Sequence, residues 1–255
     1  MPIIKSAVDA SATAPEFGAA VRRGLKALFI LRTSLERARL NLAPGKPLPD
    51  AEIVGSPAMA DGNSCVSGQS LLNYLQTSVP DYFDLTIYAL VKSDATMADN
   101  ANRPNYVGNG VSPPLLQDTE TATFGSGLRV TAATAERFGA GFGTSVSDDV
   151  SVNDAVAVTH TAWHFMVCKA VSSGADQGII IRNMTDSPTY TVEATAAARF
   201  PAREPFRLLS GYSTEGGICK GAWFQFHNVV CTEDEDEATY AQVKAYQLAA
   251  FSRAI

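Results

Sequence analysis

The stretch FDLTIYALVK, residues 83–92, constrains the fold more than any other. Phe83, Leu85, Ile87, Ala89 and Val91 alternate with Asp84, Thr86, Tyr88 and Lys92. This period of two belongs to a half-buried β-strand, because successive side chains on a pleated backbone point to opposite faces. From Ala51 onward the chain repeats the theme in short runs rich in Val, Ile, Thr and aromatics, separated by clusters of Gly, Pro, Asn, Asp and Ser. Residues 105–107, 127–131, 155–160, 162–168, 178–182, 189–192, 206–209 and 221–230 read as further strands, and 93–104 and 139–154 as long polar loops. About ten strands with hardly any helix between them imply an antiparallel β-sandwich.

The first 46 residues read differently. Pro15 stands at an early helical position, and Phe17, Val21, Gly24, Leu28, Leu31, Leu35, Ala38 and Leu42 recur at alternating steps of four and three, a heptad seam. The spacing predicts a long amphipathic helix from about Thr13 to Leu42, ended by the proline-rich APGKPLPD at 43–50. Its stripe must be covered by the β domain, by copies of itself or by another protein. The expected organisation is therefore a helix over 1–46 for attachment or oligomerisation, with Phe17, Val21, Leu28, Leu31, Leu35 and Leu42 as contacts, and a β domain over 47–255. Removal of 1–46 is expected to leave that domain folded. A homo-oligomer is expected, with a trimer favoured.

Charge follows the same division. Residues 1–46 carry eight Lys or Arg against Asp9, Glu16 and Glu36, whereas the whole chain of 255 residues has a net charge of −6. Nucleic acid is a poor partner for the basic part, since no aromatic residues interleave with its arginines. No apolar run reaches the length of a membrane span, the longest candidate being interrupted by Lys26, and MPIIKSAVDASATAPEF lacks the apolar core of a secretory signal. Synthesis in the cytosol is expected. Cys65, Cys168, Cys219 and Cys231 have no CxxC spacing and are expected as free buried thiols.

Two further features bear on chemistry. Five consecutive carboxylates, Glu233 to Glu237, follow the aromatic strand, and Thr232 with Glu235 forms the S/T-x-x-E pattern of a capping box. They read as the start of a helix favoured by its dipole, on a solvated turn, rather than as a catalytic pair. On the strand around 162–168, Trp163 is expected in the core and His164 partly exposed or paired. No GxSxG elbow accompanies His160, His164 or His227. Asp94, Asp99, Asp148, Asp149 and Asp154 could offer oxygen ligands to calcium, but no spacing organises them. Neither metal nor cofactor is assigned.

In order along the chain, AEIVGSPAMADGNSCVSGQSLLNYLQT, FDLTIYALVK, NYVGNG, TAWHFMVCKAVSSGADQGIIIRN, PFRLLSG and GAWFQFHNVVCTEDEDEATYAQVKAY resemble the concanavalin A-like, laminin-G-like jelly roll of bacteriophage virion proteins. The resemblance covers residues 50–255 and implies an all-β sandwich closed by a short C-terminal helix. It implies a virion component of the tail or fibre, made in the host cytoplasm, contacting neighbouring virion proteins through the N-terminal helix and a host-surface glycan through the jelly roll. The Glu-x-Asp-x-x-Glu spacing of the glycosidase branch is absent, so no enzyme is expected. A capsid decoration or baseplate protein without glycan affinity, and a polysaccharide depolymerase, are the alternatives. A glycan would use aromatics and planar polar groups on the outer concave face or at one rim, and Asn105, Tyr106, Asn109, Arg182, Asn183 and Tyr212 fit that description.

Overall fold

A computed structural model of the chain describes residues 18–94, 102–110, 126–132, 137–143, 149–157, 159–175, 177–186, 191–195, 197–212, 215–253 and 255. Among the described residues, fifteen strands form two antiparallel sheets. Sheet A runs β13 (Thr191–Ala194), β12 (Gly178–Asn183), β11 (His164–Val171), β6 (Leu85–Lys92), β15 (Ile218–His227), β4 (Cys65–Gln69) and β3 (Ala58–Ala60), with β1 (Leu25–Ile30) also paired to β15. Sheet B runs β10 (Asp149–Ala157), β9 (Arg137–Gly143), β8 (Gly127–Ala132), β7 (Asn105–Gly108), β14 (Arg207–Leu208), β5 (Tyr74–Gln76) and β2 (Glu52–Val54). The helices are α1 (Leu35–Ala38) and α2 (Glu233–Phe251).

The antiparallel sandwich is as expected; the long N-terminal helix is not. Of the expected helix, residues 13–17 lie outside the described residues, and the remainder turns at Gly24, forms β1 and ends in the single-turn α1. The heptad spacing is accidental. LKALFIL is an apolar run of the kind a strand buried on both faces produces, and periodicity does not separate that from a buried helix segment. Ala27, Phe29 and Leu31 face the inter-sheet core, while Leu28 and Ile30 face a second core on the far side of sheet A. Gly24 marks the break: its φ is +67°, and a Cβ there would stand 2.7 Å from the Val229 side chain.

Residues 18–46 therefore belong to the sandwich. Val21, Leu28 and Leu31 are buried in it, and Leu35 and Leu42 pack partly buried against it. Phe17 lies outside the described residues. The helical seam expected to attach the chain or trimerise it has no counterpart among the described residues, because the chain covers these side chains itself. Deletion of 1–46 would remove β1 from its pairing with β15.

Two other elements differ from the sequence reading. Residues 139–154 were expected as a loop, yet β9 and β10 occupy most of them in the register Asp149 to Gly143, Ser151 to Gly141 and Val152 to Ala140. Alternating glycines in RFGAGFG hide the strand, since glycine is depleted from strands. FDLTIYALVK was expected to be half buried, but every residue of β6 from Leu85 to Val91 is buried. Its second face is covered by α2, which the strand's own alternation does not announce.

Helix α2 begins as expected. The Thr232 side chain accepts from Glu235 N, and the Glu235 side chain accepts from Thr232 N, completing the capping box. One acid departs from the solvated turn: Asp236 is fully buried, accepting from Tyr88 Oη at 2.7 Å and pairing with Lys169 Nζ at 2.6 Å.

Candidate functional site

The six sequence-predicted ligand residues all lie at or below 8% exposure and fall into two groups. On β12, Arg182 donates to Glu237 on α2 at 2.7 Å, and Asn183 donates to Asp186 at 2.9 Å. On and after β7, Asn105 donates to Glu215, and Asn109 accepts from Ser126 N at 2.7 Å. Asn105 also fills the space over Gly211, where a Cβ would stand 2.4 Å from its amide nitrogen. Tyr106 is fully buried in the inter-sheet core. Beside Asn109, Asp81 and Arg199 form an ion pair with no exposed side-chain surface, joined by Ser126 and by Ala202 N. All six are thus engaged inside the fold, and Tyr212 packs against Arg207, which is partly exposed.

The outer face of sheet A is closed. Alternate residues of β15 point beneath the N-terminal segment and α2, and they form one directed chain. Trp223 Nε1 donates to Gln225 Oε1 at 3.3 Å, Gln225 Nε2 lies 2.7 Å from His227 Nε2, and His227 Nδ1 lies 2.7 Å from the Arg23 carbonyl. An indole only donates and a carbonyl only accepts, so the direction is fixed: His227 is neutral, donates through Nδ1 and accepts through Nε2. Burial holds its pKa below the ordinary value. Arg23 is itself tied to Glu235 and to the Val230 carbonyl, and its hydrogen bonds push the Glu235 carboxyl down to about 2. Lys169 completes the closure with a bond to the Cys231 carbonyl at 2.7 Å.

Sheet B is different. The adjoining β5 and β14 turn Leu75 and Leu208 inward and present Tyr74, Gln76 and Arg207 on the other side. Arg207 stands with its Cζ 3.4 Å from the centre of the Tyr212 ring and 4.5 Å from that of Tyr74. Its Nε donates to Gln76 Oε1 at 3.0 Å and its Nη1 to the Gly211 carbonyl at 3.3 Å. Tyr212 Oη donates to the Pro205 carbonyl at 3.0 Å and lies 3.2 Å from Gln76 Oε1, and burial pushes its phenol up. Arg207 and Gln76 remain partly exposed. The two buried rings hold an amide and a guanidinium that are each partly exposed. Sequence reasoning found Tyr212 and missed the other three; the signal was a lone charge between two core residues, Phe206 and Leu208.

Groups that could suggest catalysis are closed in on themselves. His164 is paired, one of its two expected placements, and buried, with Nδ1 2.8 Å from Asp186 Oδ2 and Nε2 2.9 Å from the Thr159 carbonyl. Trp163, expected in the core, is half buried before β11, with Arg253 Cζ 4.1 Å from its ring centre. Among the described residues no three His, Cys, Asp or Glu side chains converge on a common point. Asp94 pairs with Lys92 and Lys220; Asp99 and Asp148 lie outside the described residues. All four cysteines are free and buried, and burial pushes the Cys65 thiol up to about 11 and the Cys168 thiol to about 12.

No family model matches the chain, and no curated protein is similar to it in sequence. Solved structures are similar in fold. The binding domain of botulinum neurotoxin DC, in complex with SialylT, matches with a TM-score of 0.62 at 6% identity, over 88% of this chain and 52% of that one. The ligand-binding domain of botulinum neurotoxin serotype D, in complex with N-acetylneuraminic acid, matches with a TM-score of 0.59 at 11% identity, over 92% and 53%. A Trypanosoma rangeli sialidase in complex with sialic acid matches with a TM-score of 0.55 at 11% identity, over 85% and 32%. The likeness is one of fold. The chain spans about half the length of the two toxin domains and about a third of the sialidase. The likeness shows a shared β-sandwich fold.

Proposed function

We propose that the chain is a non-catalytic, lectin-like domain that binds a glycan on the outer face of sheet B, with Gln76 and Arg207 as its contacts and the buried rings of Tyr74 and Tyr212 holding them in place. The observation that carries this reading is the stack of Arg207 against two tyrosine rings beside a planar amide. The partly exposed amide and guanidinium suit the oxygens of a sugar. The likeness to solved binding domains with sialylated ligands supports it, as does the coverage of the opposite outer face by α2.

The wider setting is part of the same proposal. The ordered stretches resembling the jelly roll of phage virion proteins support a tail or fibre component that contacts host glycan or a neighbouring virion protein. A decoration or baseplate role without glycan affinity is the second reading, favoured by the internal engagement of most polar side chains first considered as ligands. A glycan array probed with the full chain and with Arg207→Ala tests the first reading. Binding that the substitution removes supports it; an array with no binding, together with stable incorporation into particles, overturns it in favour of the second.

A further inference from the structure

We infer that the ligand of the sheet B face carries a carboxylate, and that Arg207 is the group that reads it. The inference rests on the proposed glycan-binding role and narrows its ligand to an acidic saccharide. Its basis is the difference between Arg207 and five positioned arginines that meet carboxylates; Arg253, held by Gln247 Oε1, Ser64 Oγ and the Trp163 ring, likewise pairs with no carboxylate among the described residues. Arg23 pairs with Glu235, Arg39 with Glu36, Arg103 with Glu215, Arg182 with Glu237 and Arg199 with Asp81. Arg207 pairs with no carboxylate among the described residues: it is oriented by an amide oxygen, a backbone carbonyl and two neutral rings.

These partners fix the guanidinium without neutralising it. A guanidinium has five N–H groups, and the two hydrogen bonds to Gln76 and Gly211 use two of them. Nη2 donates to neither. The two rings take up part of its surface and remove water from it, which strengthens a charge-assisted bond to an incoming anion. A chain with a net charge of −6 has ample carboxylates to pair with this cation, yet Glu204, three residues away, forms no ion pair with it. The acid on the same register row is Glu52, facing Gln76 from β2, two strand spacings or about 10 Å from Arg207. Pre-orientation without compensation is what a planar, bidentate carboxylate receptor requires.

The test uses the full chain with hyaluronan, a uronic-acid polymer, with polysialic acid, with carboxyl-reduced forms of both, and with a sulfated polymer as a control for bulk charge. Binding is read by biolayer interferometry at physiological salt. The expected result is binding to at least one carboxylated polymer, weakened tenfold or more by carboxyl reduction. Arg207→Gln should abolish that preference, and Arg207→Lys, which keeps the charge but not the planar fork, should restore only part of it. Equal binding of the carboxyl-reduced polymers would overturn the carboxylate inference and leave the glycan reading standing. Equal or stronger binding of the sulfated polymer would overturn it in favour of unspecific charge. Carboxylate-dependent binding that survives Arg207→Gln in a folded variant would overturn the site. Failure to bind this panel or any neutral glycan would overturn the underlying reading.

Discussion

On the outer face of sheet A, a donor-only indole, an amide, an imidazole and a carbonyl satisfy one another in sequence from Trp223 to Arg23, and Lys169 is met by Asp236 and the Cys231 carbonyl. On the outer face of sheet B, an amide, two phenols and a guanidinium also hold one another, but the group at the centre of the arrangement keeps its charge and an exposed edge. Both faces are rich in polar and aromatic groups, so composition alone does not tell a structural network from a binding one. The difference lies in whether the hydrogen-bonding capacity is used up within the chain.

The largest expected effect separates the faces at the level of folding. Deleting residues 1–46 removes β1 from β15 and takes Phe29 and Leu31 out of one core and Leu28 and Ile30 out of the other. The truncated chain is expected to lose its cooperative unfolding transition in calorimetry. A truncated protein that melts like the full chain would show that sheet A does not need this cover.

Next is the buried pair. Lys169→Met leaves Asp236 fully buried with its cationic partner gone and should cost about 3–5 kcal/mol in urea unfolding. Combining it with Asp236→Leu should recover much of that loss, since replacing both charges removes the uncompensated one. A cost for Lys169→Met below about 1 kcal/mol would place the pair among exposed ones.

Acid should act on sheet A before it acts on sheet B. His227 is held neutral below its ordinary value of 6.5, so as pH falls through 6.5 the unfolded chain takes a proton that the folded chain refuses. Stability then declines by up to about 1.4 kcal/mol per pH unit for that proton. The folded chain resists because a proton on Nε2 would face the Gln225 amide N–H, and turning that amide would face it to the Trp223 N–H. Glu235 adds a second loss: its folded value of about 2 lies below the ordinary 4.5, so its contribution is present above 4.5 and disappears as pH falls toward 2. Thermal melts from pH 8 to 3 should show the first decline in the wild type and a shallower one in His227→Gln. An unchanged slope in that variant would remove His227 from the account.

The smallest effect belongs to the open face. Arg207→Ala should lower stability by about 1 kcal/mol or less, the range of exposed cation–π contacts, with no change in the acid transition. A loss comparable to that of Lys169→Met would mean that Arg207 is a structural strut like its paired counterparts.

How far these differences were legible in the sequence varies by element. FDLTIYALVK announces a strand by alternation, and Thr232 with Glu235 announces a helix start, because both signals are local. LKALFIL did not announce a strand, since burial on both faces erases alternation and leaves a run that a heptad also fits. The strand RFGAGFG was hidden by its glycines. Asp236 looked like its four exposed or half-buried neighbours, and only the packing of α2 over Tyr88 and Lys169 singles it out. At the candidate site Tyr212 was found as an aromatic near a turn, but Tyr74 and Gln76 lie more than 130 residues upstream of Arg207, and their meeting is set by the pairing of β5 with β14. Asn105, Asn109, Arg182 and Asn183 had the right chemistry for a ligand, and the fold uses them internally.

Hydrogen–deuterium exchange of the full chain with and without hyaluronan or polysialic acid, whichever binds, tests the contrast between the faces most directly. Added protection is expected in peptides covering 74–76 and 207–212, with α2 and β15 unchanged. Protection confined to α2, or to peptides distant from Arg207, would contradict it.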